Sequence, residues 1–224
     1  MRRVNRPEIL DSDGCPPEEA AASLRDMSAI NRRFGGIATT YALIERVAAN
    51  AGKKQFSLLD VAAGFGEVPR VARERLAQKG ISIDVTLLDS RLSHLLPGSH
   101  SVVGQALLLP FADNSFDLVS CSLFAHHLQP DELAGFAREA LRVGRLALLI
   151  NDLVRSPFHL ALVYAAFPLM RSYASRHDGV VSVRRAYLPD EMRQIVMSAF
   201  ADDFVPRVET FRHFLFRMGV IVWK

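Results

Sequence analysis

The chain encodes a doubly wound α/β fold, a mostly parallel sheet with an antiparallel pair at its end. Three features predict it. From Gln55 onward, short runs that are apolar on both faces alternate with helical stretches, the pattern of a parallel sheet covered on each side. A glycine-bearing turn, Ala62-Ala63-Gly64-Phe65-Gly66, follows the first of those runs at once. Two β-rich runs then close the chain, Phe204 to Thr210 and His213 to Trp223, and their connection is short enough for an antiparallel pair.

The elements follow in order. Residues before Pro16-Pro17 are polar and read as a loose arm. Pro17 with Glu18-Glu19 opens a helix carried by Ala22, Leu24, Met27, Ile30 and Phe34 near helical spacing, and Gly35-Gly36 stops it. A second helix runs from Thr39 to Asn50 and ends at Gly52. Phe56 to Val61 is the first strand, and Glu67 to Gln78 a helix that tolerates Pro69 in its first turn. Ile81 to Leu88, Ser101 to Val103 and Phe116 to Cys121 are the next three strands. Pro130 to Arg142 is helical, Leu146 to Ile150 is the fifth strand, and Pro189 to about Ala199 is the last helix. Five parallel strands and the terminal pair make seven. Residues 1–224 read as one domain: a helical cover over 1–50, a core over 55–150, a helical lid insertion over 151–185, and the last helix with the hairpin over 186–224.

Composition sets the outer bounds. A chain of 224 residues holds one sizeable domain. With 50% hydrophobic and 23% charged residues it is an ordinary globular chain, neither disordered nor fibrous. Only Cys15 and Cys121 are present, far apart, which excludes a disulfide scaffold and a Cys-based zinc cluster and fits a reducing, cytoplasmic setting. The basic Met1–Glu8 segment has no apolar stretch behind it, so it does not read as a secretory signal. The cleanest apolar stretch, Leu160 to Met170, is about half of what a membrane helix needs, so no membrane insertion is expected. The net charge of +3 comes from 23 Arg and 4 Lys spread along the chain, a solvated surface rather than the footprint of a nucleic-acid binder.

The chemistry concentrates at the first turn. Small residues at 62, 64 and 66 let backbone approach a ligand, and the helix that follows offers free N–H groups to an anionic group. A tight strand-to-helix turn also needs glycine on structural grounds alone. The third glycine of a dinucleotide fingerprint is replaced by Pro69, and no Gly-Lys-Ser/Thr is present, so neither a pyrophosphate site nor a P-loop is encoded. The second strand ends in Leu87-Leu88-Asp89. A carboxylate there can accept both hydroxyls of a ribose, and it can equally cap a turn at Ser90-Arg91. Turn and carboxylate together imply a nucleoside ligand without a pyrophosphate.

These residues resemble a known family. Leu59-Asp60-Val61-Ala62-Ala63-Gly64-Phe65-Gly66 is similar to the first motif of class I S-adenosylmethionine-dependent methyltransferases, and Asp89 stands where that family places its ribose-binding acid. Leu109-Pro110-Phe111-Ala112-Asp113-Asn114-Ser115-Phe116-Asp117-Leu118-Val119 resembles the segment leading into the family's fourth strand, commonest in a small-molecule branch that includes quinone-biosynthesis methyltransferases. The resemblance implies S-adenosyl-L-methionine as cofactor, with Gly64 and Gly66 along its methionine part, Asp89 on the ribose, and Asp60, Ala62 and Ser90 also among the residues that bind it. Gln105, with Ala106, replaces the acid that often meets the adenine amine; Ser122 lies at the fourth-strand loop; and Arg32 or Arg33 could pair with the cofactor carboxylate. The family's first turn glycine is Ala62 here, a conservative change that a modest backbone shift could absorb.

In this fold the loop after the fourth strand faces the methyl group, and it reads Ser122-Leu123-Phe124-Ala125-His126-His127-Leu128. A histidine there has a pKa suited to deprotonating a phenol near neutral pH. Neighbouring residues do not both face a substrate readily, so His127 is the preferred base and His126 the second; either could instead cap the next helix or fill space. His177 beside Asp178 is a third candidate, in a polar cluster that otherwise reads as a surface turn. Phe158 to Tyr173 in the insertion could roof an apolar pocket or pack as plain core. No metal site is expected, since no carboxylate constellation stands out. The loop has neither the Asn/Asp-Pro-Pro-aromatic turn of nucleobase amine methylation nor a Pro-Cys nucleophile, so nucleic acid is disfavoured.

The leading expectation is methyl transfer to a small, fairly apolar acceptor at a phenolic or enolic oxygen, with carbon methylation a close variant and homo-oligomerisation left open. A nicotinamide-dependent oxidoreductase and a non-catalytic S-adenosylmethionine-binding protein stand as alternatives.

Overall fold

The computed structural model describes residues 1–10, 14–95, 98–200, 205–213 and 216–224. Seven strands form one sheet in the order β3-β2-β1-β4-β5-β7-β6: β1 Gln55–Val61, β2 Ser82–Asp89, β3 Ser101–Val103, β4 Phe116–Ser122, β5 Gly144–Leu153, β6 Arg207–His213 and β7 Arg217–Trp223. The first five are parallel, and β7 runs antiparallel to both β5 and β6. This is the sheet the alternating pattern predicts.

The two faces are covered by different helices. On β5, Ala147 and Leu149 point to one face while Leu148 and Ile150 point to the other, the period of two that a strand imposes. The first face packs on Leu43, Ile44 and Val47 of α2 (Gly36–Ala51) and on Leu76 of α3 (Glu67–Ala77). The second packs on Leu133, Phe136 and Ala140 of α4 (Pro130–Val143) and on Met192 and Val196 of α7 (Pro189–Ser198). Each helix lays an apolar stripe on a two-sided sheet, and burial of that stripe holds the layers together.

Four expectations change. Strand β5 is longer than Leu146 to Ile150, because pairing with β7 continues to Leu153 opposite Arg217 and brings Asn151 and Asp152 into the interior. His213 closes β6 instead of opening β7; Phe204, expected to start the penultimate run, lies outside the described residues. The arm is not loose over residues 1–10. The Arg3 guanidinium donates to the carbonyls of Arg185, His126 and Leu128 and to Gln129 Oε1, and it lies 4.3 Å from the centroid of the Tyr187 ring. A planar five-donor fork can bind four acceptors at once, which an ammonium cannot.

The fourth change concerns the insertion. It forms two helices, α5 (Pro157–Ala165) and α6 (Tyr173–Arg185), joined through a short 3-10 turn at Phe167–Leu169. His177 and Asp178 therefore sit inside α6 and not on a surface turn. Helix α1 (Pro17–Arg33) packs against α6, and Asp26 of α1 accepts the Arg171 and Ser172 N–H groups just before α6 begins.

Candidate active site

The carboxyl ends of β1, β2 and β4 open on one cleft of about 390 Å³. It lies where the strand order reverses between β1 and β4, the crevice in which open α/β sheets hold ligands. Asp60, Ala62, Gly64, Asp89, Ser90, Ser122 and His127 all line it.

The glycine turn builds one wall. Ala62, Gly64 and Gly66 all have left-handed backbone, with φ of 55°, 53° and 65°. A Cβ on Gly64 would meet no atom within 4 Å and would project into open space, whereas one on Gly66 would lie 2.4 Å from Leu87 Cδ1. Gly64 thus keeps the cleft clear, and Gly66 serves helix-to-strand packing at the N-cap of α3. Ala62 keeps the left-handed conformation as well. Left-handed backbone at a residue with a Cβ carries strain of roughly 1–2 kcal/mol.

Two carboxylates face each other across this turn with opposite electrostatics. Asp89 closes β2; its Oδ2 accepts the Gly64 N–H at 3.0 Å, its Oδ1 accepts the Arg91 N–H at 3.1 Å, and His94 Nδ1 lies 3.2 Å away. Burial alone would raise its pKa, but these donors outweigh burial and hold it below the usual carboxylate range. Asp89 therefore both caps its own turn and presents a charge to the cleft. Asp60, at the end of β1, is fully buried, and burial with a further push from the Asp89 charge raises its pKa to about 7 even though the Ser120 hydroxyl donates to it. Near neutral pH it is poised between charged and neutral forms.

The turn after β4 carries the histidines, and the structure separates them. Leu123 begins it at φ 54°, and it ends where α4 opens at Pro130 with Glu132 accepting the Gln129 N–H. His126 is 2% exposed and does not line the cleft. Asp152 accepts its Nδ1–H at 2.7 Å and its backbone N–H at 2.9 Å; since an ionised carboxylate only accepts, the Nδ1 must carry the proton. Burial opposes a charge on His126, yet Asp152 and Glu8 together raise its pKa to about 9. It is a buried cation and not a free base at neutral pH. His127 faces the cleft with its ring stacked at 18° on Phe124, and its Nε2 stands 3.7 Å from Glu8 Oε2.

Other expected site residues lie elsewhere. Gln105 is exposed in a small bridge with Leu108, Ala106 packs on the core, and neither lines the cleft. Arg32 pairs with Glu67 at the rim, and Arg33 lines a separate apolar cavity. His177 is bound to Asp178 at 2.8 Å and lines a cavity of about 520 Å³ between the arm and α6, away from the glycine turn. Asp178 also accepts the Ile9 and Leu10 N–H groups and so anchors the arm.

Three side chains at the site have no signal in the sequence around the motifs. Glu8 is 5% exposed, lines the cleft, and is brought there by the docked arm. Asp152 reaches His126 from the extended end of β5. Arg217, 2% exposed, donates to Asn31 Oδ1 at 2.7 Å, and burial lowers its pKa to about 10. The arm's Arg3, Glu8 and Met1 contacts could have been sought only through the spacing of buried charges, which a single sequence does not show.

Two smaller cavities adjoin the cleft. A second cavity of about 120 Å³ shares Glu8, Leu10, Met27, Leu123 and His127 with it, and shares Ile30, Leu153, His159, Val163, Met170 and Arg217 with a third of about 230 Å³. That third cavity lies beneath α5 and is walled mainly by apolar side chains, among them Leu162, Ala166 and Phe216. His127 stands at the first junction and Val163 at the second.

A sheet of this order with a reversed seventh strand, a glycine turn after β1 and an acid closing β2 defines the class I S-adenosylmethionine-dependent methyltransferase fold. Residues 59–146 match the methyltransferase domain family, and that match together with the fold supports S-adenosylmethionine-dependent methyl transfer. The fold is shared with solved structures. A SAM-dependent methyltransferase from Aquifex aeolicus is 16% identical, with a TM-score of 0.57 over 92% of this chain and 97% of that one. The plantazolicin methyltransferase BpumL, in complex with SAH, is 11% identical with a TM-score of 0.67 over 96% and 92%. Magnesium protoporphyrin IX methyltransferase from Synechocystis PCC 6803, with bound SAH, is 14% identical with a TM-score of 0.53 over 85% and 83%. No curated protein matches the sequence. Among the described residues, no helix is long and apolar enough to cross a membrane.

The residues present fit this cofactor. The open space over Gly64 and the ionised Asp89 suit a ligand with a ribose, and a cleft of about 390 Å³ is within the range of small-molecule sites. The failed dinucleotide motif is structural as well, since Pro69 is buried in the first turn of α3.

Proposed function

We propose that this protein methylates a small, largely apolar acceptor at a phenolic or enolic oxygen. The observation that carries the reading is the row of adjoining cavities, sharing lining residues, from the glycine turn past His127 to the apolar space under α5. Bound S-adenosylmethionine supplies a methyl group on a sulfonium, a very good leaving group, so the protein's own task is mainly alignment and deprotonation of the acceptor.

Asp89 takes the ribose hydroxyls, exchanging its bond from the Gly64 N–H for them, and Gly64 leaves room for the methionine part. Asp60, Ala62, Ser90 and Ser122 line the remaining wall. His127 is the catalytic side chain, since it alone of the three candidate histidines borders both the cleft and the cavity leading to the acceptor space. His126 positions it from beneath, with ring centroids 4.3 Å apart. Neighbours named for plantazolicin and magnesium protoporphyrin IX support a small-molecule acceptor.

The test is calorimetric titration with S-adenosylhomocysteine, followed by a phenol and enol panel scored for methylated product. Asp89→Ala should weaken binding at least tenfold, about 1.4 kcal/mol, and His127→Ala should cut turnover while leaving that affinity intact. Unchanged binding by Asp89→Ala would remove the ribose assignment. Equal loss of turnover and affinity in His127→Ala would make that histidine structural.

A further inference from the structure

The least expected cluster lies where the cleft meets the second cavity. Glu8, from the docked arm, brings its carboxylate between the two histidines of the β4 turn: Oε1 is 3.5 Å from His126 Nε2, and Oε2 is 3.7 Å from His127 Nε2. All three ligand atoms lie within 4.8 Å of one another. His126 Nε2 is buried, aimed at this group, and makes no hydrogen bond of its own. A buried ring nitrogen without a hydrogen bond normally finds a partner.

We propose that Glu8, His126 and His127 bind one divalent transition-metal ion. Ligands 2.0–2.2 Å from a common ion sit roughly 3–3.6 Å apart, close to the separations seen here before any adjustment. The outer shell is already built. Asp152 holds His126 Nδ1–H at 2.7 Å, so Nε2 is the nitrogen that can ligate an ion, which displaces the Nε2 proton on binding, the carboxylate–histidine–metal arrangement. The Ser182 hydroxyl donates to Glu8 Oε1 at 2.8 Å and orients that carboxylate. Two carboxylates, Glu8 and Asp152, offset a doubly charged ion, with Arg185 Nη1 4.0 Å from Glu8 on the outer side. Two imidazoles and one carboxylate select borderline ions such as Zn²⁺, Co²⁺, Mn²⁺ or Fe²⁺ over Mg²⁺ and Ca²⁺, which prefer all-oxygen sets.

Three protein ligands leave further coordination positions, and the cluster borders both the cleft and the cavity toward the acceptor space. The ion's role rests on the proposed function, although its binding does not. An acceptor hydroxyl taking an open position becomes more acidic and gives its proton to water. An O–C bond to the methyl group then forms as the S–C bond breaks, and that electron pair stays on sulfur. With the ion bound, His127 is its ligand in place of the proton acceptor of the proposed function, and the ion holds the acceptor oxygen.

The experiment uses the full chain, stripped with chelator, in mildly alkaline buffer without cofactor or acceptor. Co²⁺ is titrated and its visible d–d absorption followed, with Zn²⁺ and Mg²⁺ titrated by calorimetry. One equivalent of Co²⁺ and of Zn²⁺ should bind, Mg²⁺ should not, and Glu8→Gln and His127→Ala should each weaken Co²⁺ binding at least tenfold. His127 has a side chain 21% exposed, so its variant keeps the test open even where Glu8→Gln disturbs the arm; circular dichroism verifies both folds. Folded wild type without protein-bound Co²⁺ bands, or variants that bind Co²⁺ as tightly as wild type, would overturn the proposal. S-adenosylhomocysteine titration of the same sample is read separately: its failure overturns the cofactor reading and not the ion site.

Discussion

Asp60 and Asp89 show how burial with or without donors sets a carboxylate's charge. Asp89 has two backbone N–H groups and His94, and stays ionised; Asp60 has one hydroxyl and the repulsion of Asp89, and rises to about 7. The stability consequence has a definite sign. In the unfolded chain Asp60 titrates near 4, so between about pH 4 and pH 7 the unfolded state has lost a proton that the folded state keeps. Its contribution is therefore fully present below about pH 4, falls as pH rises through that window, and is gone above about pH 7. Asp60→Asn keeps an acceptor for Ser120 and removes the titration. Urea unfolding of both proteins at several pH values should show wild type losing stability relative to the variant at up to about 1.4 kcal/mol per pH unit, a few kcal/mol in all. Parallel curves for the two proteins would place Asp60 at an ordinary pKa.

At the scale of elements, the turn after β1 divides two tasks between two glycines of similar φ. Gly64→Ala must adopt left-handed backbone but meets empty space, so its stability loss should be only about 1–2 kcal/mol; its methyl group should instead cost affinity for S-adenosylhomocysteine. Gly66→Ala bears the same strain and also drives its Cβ onto Leu87, so it should lower the melting temperature more than Gly64→Ala does. A thermal melt paired with calorimetry separates them, and an identical pattern in both would dissolve the division. The sequence announces this turn because strand, glycines and closing acid are read from a short local stretch with one period on each side. It could not announce Glu8 or Asp152. Glu8 sits in a polar arm whose docking depends on Arg3 and on N–H groups of Ile9 and Leu10 meeting α6. Asp152 enters the interior only because β7 extends β5 beyond its apolar run. Local pattern sees elements; it does not see which distant charges they bring together.

Across the described residues, neighbouring cavities would offer the acceptor of the proposed function a route inward. The cleft, the small cavity beside it and the apolar space under α5 adjoin in a row, and Val163 lines both inner cavities. Helix α5 makes the inference testable, because it has no buried residue despite an entirely apolar sequence apart from His159 and the Tyr164 hydroxyl. A roof that packs little on the core contributes little to stability, so a bulky change on its inner side should be tolerated by the fold. Val163→Trp would fill the small cavity of about 120 Å³, yet it lies away from Asp89 and the glycine turn, which line the cleft. The acceptor's kcat/KM should fall at least tenfold, about 1.4 kcal/mol in transition-state stabilisation, while the dissociation constant for S-adenosylhomocysteine stays within about twofold. Unaltered acceptor kinetics in a folded Val163→Trp protein would mean that acceptors reach the methyl group from the solvent side of the cleft, and the space under α5 would then lose its part in specificity.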